Sequence, residues 1–215
     1  MTTRTPQRRS QAQRSAEMRT RLLDATIDCL IKYGYAGTTT PRVAEMAGVT
    51  RGAQVHHFGS RDELMLAAVE HLAVKRMAAA VSRFGDGVTK SADPLGAVFD
   101  IAWDIHRGPI FIPIVELWVA GRTDPELRRE VARFEVVAVH ALNGAFDEFV
   151  PDEIRKPLLE LMFTAMDALR GILISSFVDQ DPARARRRWE RATANLRRTA
   201  DSSITAWITA RSTHR

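Results

Sequence analysis

Arg51, Gln54, His56 and His57 lie within seven residues, a density of hydrogen-bonding side chains suited to reading base edges. A guanidinium donates two bonds to guanine, and a carboxamide meets adenine with one donor and one acceptor. Each such pair is worth about 1–3 kcal/mol of discrimination. Thr39, Thr40 and Thr50 stand where hydroxyls and helix-terminal N–H groups reach phosphate oxygens, and Arg61, at the next helix start, has the same reach. Val55 either touches a thymine methyl or faces inward. The adjacent His56 and His57 point away from each other on a helix, so phosphate contact or packing suits them better than a metal.

These side chains need a rod narrow enough for the major groove, braced by a second helix across a tight turn. Ala47-Gly48-Val49 supplies the turn and the small residues where two helices cross. Upstream, Leu22, Leu23, Thr26, Ile27, Leu30 and Tyr33 recur at three- and four-residue spacing, which is one face of a helix over residues 15–33. Gly34 is placed to end it in a left-handed conformation. Thr38, Thr39 and Thr40 offer caps before Pro41, whose missing N–H is harmless at the first helical position. A short helix over 41–47 turns Val43, Ala44 and Ala47 inward. Thr50 then caps a helix over 51–58 that carries Gly52 and the polar cluster. Ser60-Arg61-Asp62-Glu63 reads as a capping box opening a long helix that ends near Phe84, before Gly85-Asp86-Gly87. Helical patterns follow over 95–106, 110–119 with Pro113 interrupting, 125–149, 154–178 and 182–209. The expected fold class is all-α.

Charge divides unevenly. Residues 1–61 hold ten Lys/Arg against four Asp/Glu, and residues 62–215 hold 21 against 22. The whole net charge of +5 therefore belongs to the N-terminal quarter, an electrostatic footprint for an anionic polymer or a solvated face. Arg4, Arg8, Arg9 and Arg14 lie in a polar stretch, residues 1–14, expected to be a basic flexible arm. One cysteine, Cys29, rules out an internal disulfide and suits core packing. No Gly-rich phosphate loop, nucleophile elbow or His-Glu-x-x-His spacing occurs, so no catalytic residue, metal or cofactor is expected. No apolar run spans a bilayer and no secretory signal opens the chain, so a cytoplasmic location without membrane attachment is expected.

Gly34-Tyr35-x-Gly37-Thr38-Thr39, Val43-Ala44-x-x-Ala47-Gly48-Val49-Thr50-Arg51-Gly52-Ala53, His57-Phe58 and Ser60-Arg61-Asp62-Glu63-Leu64 together resemble the N-terminal domain of TetR-type transcription regulators. The resemblance covers residues 18–64. It implies an N-terminal three-helix helix-turn-helix DNA-binding domain (residues 15–61) followed by a larger helical ligand-binding and dimerisation domain (residues 62–215). It further implies a homodimer that binds a palindromic operator in double-stranded DNA, mostly as a repressor, and releases it when a small-molecule effector enters the C-terminal domain. The family pattern usually has Leu then Tyr where Gln54 and Val55 stand here. Gln54 is thus either a base reader or a substitute for that leucine.

For the dimer, the resemblance points to the last two expected helices, 154–178 and 182–209, and Trp189, Leu196, Ala200, Ser203, Ile204 and Trp207 recur at near-heptad spacing on the last of them. Ala165, Ala168, Gly171 and Ser175 are small enough for close helix approach. An intramolecular core is the competing role for the tryptophans. For the effector, the candidates are Trp103, His106, Phe111, Glu116, Trp118, Phe134, Phe146, Met162, Met166 and Arg170, a mostly apolar set with few polar groups.

Overall fold

The computed structural model describes residues 11–50, 52, 57–108 and 111–212, and among them every regular element is helical. The helices are α1 (Gln11–Gly37), α2 (Thr40–Ala47), α3 (Arg61–Lys90), α4 (Pro94–His106), α5 (Phe111–Gly121), α6 (Pro125–Phe149), α7 (Asp152–Ser175), α8 (Arg184–Thr199) and α9 (Ser202–Ser212). The fold is all-α.

The chain resolves into two compact units. One comprises the described part of Met1–Val74 together with Ile112–Phe134, and the other comprises Lys75–Phe111 and the described part of Glu135–Arg215. The expected boundary between residues 61 and 62 is therefore not where the units part. The first half of α3, nearly all of α5 and the start of α6 belong with the helix-turn-helix.

In the first unit, the face of α1 read from the sequence is the face that is buried. Leu22, Leu23, Ala25, Ile27 and Cys29 cluster with Val43 and Ala47 of α2, Phe58, and Leu64 and Ala68 of α3. Leu22 is fully buried, and each such leucine contributes roughly 1.5–3 kcal/mol relative to exposure. Tyr33, expected inward, is 39% exposed and lies under the Arg42 guanidinium, 4.3 Å from its ring centroid. At the other end, α1 already begins at Gln11, so residues 11–14 of the expected arm are helical; residues 1–10 lie outside the described residues.

In the second unit, α7 turns Ile154, Leu158, Met162, Ala165, Leu169 and Ile172 inward at three- and four-residue spacing. They join Leu95, Val98, Phe99 and Trp103 of α4, Phe146 of α6, Trp189 of α8 and Ile204 of α9. Trp189 is 1% exposed, with its ring edge-on to Phe99 at 5.9 Å.

Further helix features differ from the sequence reading. Gly85 and Gly87 do not end α3, which continues to Lys90. A Cβ on Gly85 would stand 2.7 Å from the Phe149 ring, so this glycine permits close approach. Pro113 does not interrupt α5 but occupies its first turn, where an N–H has no intrahelical acceptor. Residues 182–209 form two helices: Ala200 is extended (φ −61°, ψ 144°), and the Asp201 carboxylate accepts from Ser203 N at 2.8 Å and Ser203 Oγ at 2.6 Å, opening α9.

Candidate functional site

The turn is built as the sequence suggests. Gly48 adopts φ 62°, ψ 42°, where a side chain is disfavoured. Gly48 N donates to Glu45 O at 3.0 Å and Val49 N to Ala44 O at 2.9 Å, closing the last carbonyls of α2. Arg21, a residue the sequence reading passed over, donates from its guanidinium to Ala47 O and, at 3.3 Å, to Gly48 O. Its charge lies at the negative end of α2.

Thr39 is exposed at the entry to α2, with Val43 N bonded to its carbonyl at 3.0 Å. Its hydroxyl makes no cap bond, and Pro41 follows in the first turn. Thr40 is half-buried, whereas Thr50 and Gly52 are exposed. His57 is half-buried and Phe58 buried, their rings 6.3 Å apart, and Arg19 lies 4.6 Å over the Phe58 ring. Phe58 thus ties this end of the 52–58 segment to the core. Arg51, Gln54, Val55 and His56, the remaining expected base and phosphate contacts, lie outside the described residues. The capping box holds: Glu63 N donates to Ser60 Oγ at 3.1 Å, and Ser60 N to the Glu63 carboxylate at 3.5 Å.

Arg61 requires a correction. Its guanidinium faces its own domain, with Nε donating to Thr38 O at 2.7 Å, Nη2 to Tyr35 O and Nη1 to Asp62 at 3.3 Å. It also stacks 4.4 Å over the Tyr35 ring. Arg61 thus donates to two carbonyls beside the α1 bend, Thr38 O and Tyr35 O, the latter also accepting from Thr38 N at 3.3 Å.

The bend itself is at Gly34, with φ 68° and ψ −179°. That is not the compact left-handed conformation expected but an extended region open essentially to glycine alone. The fully packed Thr38 closes it, with Oγ1 donating to Gly34 O at 2.7 Å. Tyr35 OH donates to Asp62 at 2.9 Å, and burial together with that carboxylate pushes the phenol pKa up.

Glu116 also departs from its expected role. Its carboxylate accepts the backbone N–H of Tyr35, so it is engaged at the α1 bend. Glu116, Trp118 and Phe134 all belong to the first unit, while Trp103, His106, Phe111, Phe146, Met162, Met166 and Arg170 belong to the second. Within that second group, Phe146 is fully buried and stacked on Phe84 at 4.8 Å, which is core packing. Trp103 is buried with Arg107 and Arg186 at 5.4 and 5.2 Å over its ring.

His106 differs from these. Its ring is 5.6 Å from Phe111, which in turn is 6.5 Å from Phe177. Nδ1 donates to Ala102 O at 2.9 Å. Burial lowers its pKa to about 4, the Ala102 carbonyl opposes that shift, and the charge of Arg170 adds to it. Met162 and Met166 precede Arg170 at four-residue steps on α7, with Met162 buried and the other two half-buried.

The expected dimer residues separate. Trp189, Ile204 and Ala165 are buried in their own unit's core, with Leu196, Ala200 and Trp207 packed against it. Gly171 and Ser175 of α7 are exposed, as are Ser202, Thr205, Ala206, Thr209 and Ala210 of α9. Among the described residues, no helix is long and apolar enough to cross a membrane.

Residues 22–68 match the family described as bacterial regulatory proteins, tetR family. The HTH-type transcriptional regulator CymR of Pseudomonas putida is 30% identical over 187 residues, covering 85% of this chain and 90% of that protein. The solved structure of a TetR-family member from Streptomyces coelicolor A3 is 25% identical, with a TM-score of 0.59, and covers 84% of this chain and 98% of the other. The multidrug binding protein EbrR, complexed with imidazole, shares the fold at 23% identity and a TM-score of 0.57, covering 84% and 89% of the two chains.

Proposed function

The chain belongs to the TetR family of bacterial transcriptional regulators, and on that premise we propose that it is a dimeric repressor released from a palindromic operator by a small molecule. The observation that carries the DNA-binding half of this reading is the Gly48 turn, braced by Arg21 and leading directly into the Arg51–Phe58 segment. Arg51 and Gln54 would read bases, with Val55, His56, His57 and Gly52 alongside. Thr39, Thr40 and Thr50 would hold phosphates, using hydroxyls and helix-terminal N–H groups. Two copies would place these segments one helical turn of DNA apart, about 34 Å, or a multiple of it.

The dimer surface would be the small-residue faces of α7 and α9, where Gly171, Ser175, Thr205, Ala206 and Thr209 leave room for backbone approach. The effector site would lie in the second unit around His106, Phe111, Met166 and Arg170. EbrR structures hold imidazole, proflavin and ethidium, and a small-molecule effector is carried over from that likeness. Release would follow from tighter effector binding to a conformation whose paired segments have the wrong spacing. The reading includes no catalysis and places the protein in the cytoplasm with its DNA.

Selection of genomic fragments by the full-length protein tests it. An enriched palindrome, protected in footprinting and weakened by Arg51→Ala, is the expected result. Enrichment of no symmetric sequence would refute the reading.

A further inference from the structure

Two rows of opposite charge run along the outer faces of α7 and α8. Glu153, Glu160 and Asp167 recur at every seventh residue of α7, and Arg184, Arg191 and Arg198 do the same on α8. All six are exposed, while Leu158 and Trp189 on the opposite faces are buried. Seven residues are close to two helical turns, so each row keeps within about 40° of one line, with roughly 10 Å between charges. Gly171 and Ser175 continue the acidic row, and Arg188 lies in the basic one. Arg188 Nη1 donates to Ser175 Oγ at 2.7 Å, so the rows adjoin where α7 turns back into α8.

From this placement we infer that the face recognises a second copy of the chain, the acidic row of α7 in each protomer lying along the basic row of α8 in its partner. A patch that carries both signs side by side is self-complementary under a two-fold axis. The equal spacing makes three pairs in one register: Glu153 with Arg184, Glu160 with Arg191 and Asp167 with Arg198, each across the interface and each formed twice. The inference rests on the proposed dimer, adds α8 to its α7 face and fixes the register.

Within one chain the rows cannot pair in this way. The Arg188–Ser175 bond sets their relative height, and counting back along the antiparallel hairpin puts Arg191 level with Ile172. That is roughly 18 Å along the axis from Glu160, more than the two side chains span. A two-fold axis crossing α7 at Met166 brings all three pairs level at once. The central pair carries most of the weight. Among the described residues, the side chains of Glu160 and Arg191 hold no hydrogen bond or ion pair. The outer charges are shared with neighbours: Arg184 is 2.9 Å from Asp179, Asp167 is 3.6 Å from Arg170, and Arg198 bonds Asn195. Beside the rows, Arg187 is held by Asp181 and Glu190 by Arg186, and Lys156 stands exposed at the edge of the acidic row. DNA, the other anionic partner open to the arginines, would meet the adjoining acidic row with like charge.

Charge reversal in trans tests this, with self-association of the full-length protein read by sedimentation and by capture of differently tagged copies. Arg191→Glu and Glu160→Arg each set like charges against one another twice per dimer. Each is expected to raise the dimer dissociation constant at least about tenfold at low salt. Mixing the two variants restores attraction at both contacts, so a heterodimer about as tight as the unaltered dimer is expected. Raising salt from about 0.05 M to about 0.5 M should shrink these differences. If a reversed chain does not fold, Arg191→Gln and Glu160→Gln serve instead, each weakening the dimer by about threefold.

Dimers of unaltered strength from both reversed variants overturn the inference and leave the dimeric repressor standing. Weakening that mixing does not rescue also overturns the pairing. A monomeric unaltered protein overturns both this inference and the dimeric reading. If Arg191→Glu lowers DNA affinity and its salt slope while self-association is unchanged, the arginine row serves phosphates and the inference fails.

Discussion

The backbone N–H of Tyr35 donates to the carboxylate of Glu116, which places a side chain of α5 on the bend of α1. A Cβ on Gly34, the residue before, would stand 2.9 Å from Glu116 Oε1. The bend thus depends on a glycine-only conformation and on a carboxylate lying against it.

Glu116→Ala leaves a half-buried N–H without its acceptor, and the expected loss is about 1–3 kcal/mol of folding stability by denaturant titration. Glu116→Gln retains an oxygen acceptor and is expected to lose less than half as much. Gly34→Ala adds backbone strain of about 1–3 kcal/mol and crowds the carboxylate. An unchanged unfolding midpoint in Gly34→Ala would refute this account of the bend.

Arg61 separates a structural role from a phosphate contact. Because its guanidinium bonds Thr38 O and Tyr35 O, Arg61→Ala should destabilise the protein by about 1–3 kcal/mol. The slope of log affinity for DNA against log salt should stay the same. A phosphate contact would instead lower that slope by about 0.9 per neutralised charge, with little change in stability.

Trp189→Ala should cost about 3–5 kcal/mol, because it empties a site packed against Phe99. Trp189→Phe fills much of that volume and should keep the fold. Sedimentation of Trp189→Phe should show the same oligomeric state as the unaltered protein. A shift toward smaller species would put Trp189 back at a subunit interface.

His106 sets a pH dependence of stability. Its pKa in the folded protein is about 4, below the ordinary 6.5, so between those values the unfolded chain binds more protons. Stability therefore rises with pH through that window and falls on acidification from about pH 6.5 to about pH 4. A part-buried ring limits the size to an order of about 1–3 kcal/mol. His106→Gln should flatten this interval of the stability profile. Asp93, whose carboxyl is held low by Arg197, titrates below the window and leaves it clear.

Local chemistry was legible where a residue acts on its own neighbours. The Ser60–Glu63 capping box, the Gly48-Val49 turn, Pro41 at the start of α2 and the buried face of α1 all follow from short-range rules. Legibility failed where a distant element decides. Gly85 and Gly87 look like a helix stop, yet they make room for Phe149 and Ala97. Arg61 and Glu116 look like surface or pocket charges, but each meets backbone groups near the Gly34 bend, which no spacing reveals. The break before α9 had a local sign in Asp201-Ser202-Ser203, obscured by the apolar pattern running through it. At Gly85, Gly87, Arg61 and Glu116, contact with a distant element decided the outcome; before α9 a local cap did.

The central claim is sequence-specific recognition of duplex DNA, and the affinity ratio between selected and random duplexes at one fixed salt concentration tests it most directly. The expected ratio is about a thousandfold or more. A ratio near unity, with both affinities falling together as salt rises, would contradict the account and leave a protein that binds DNA by charge alone.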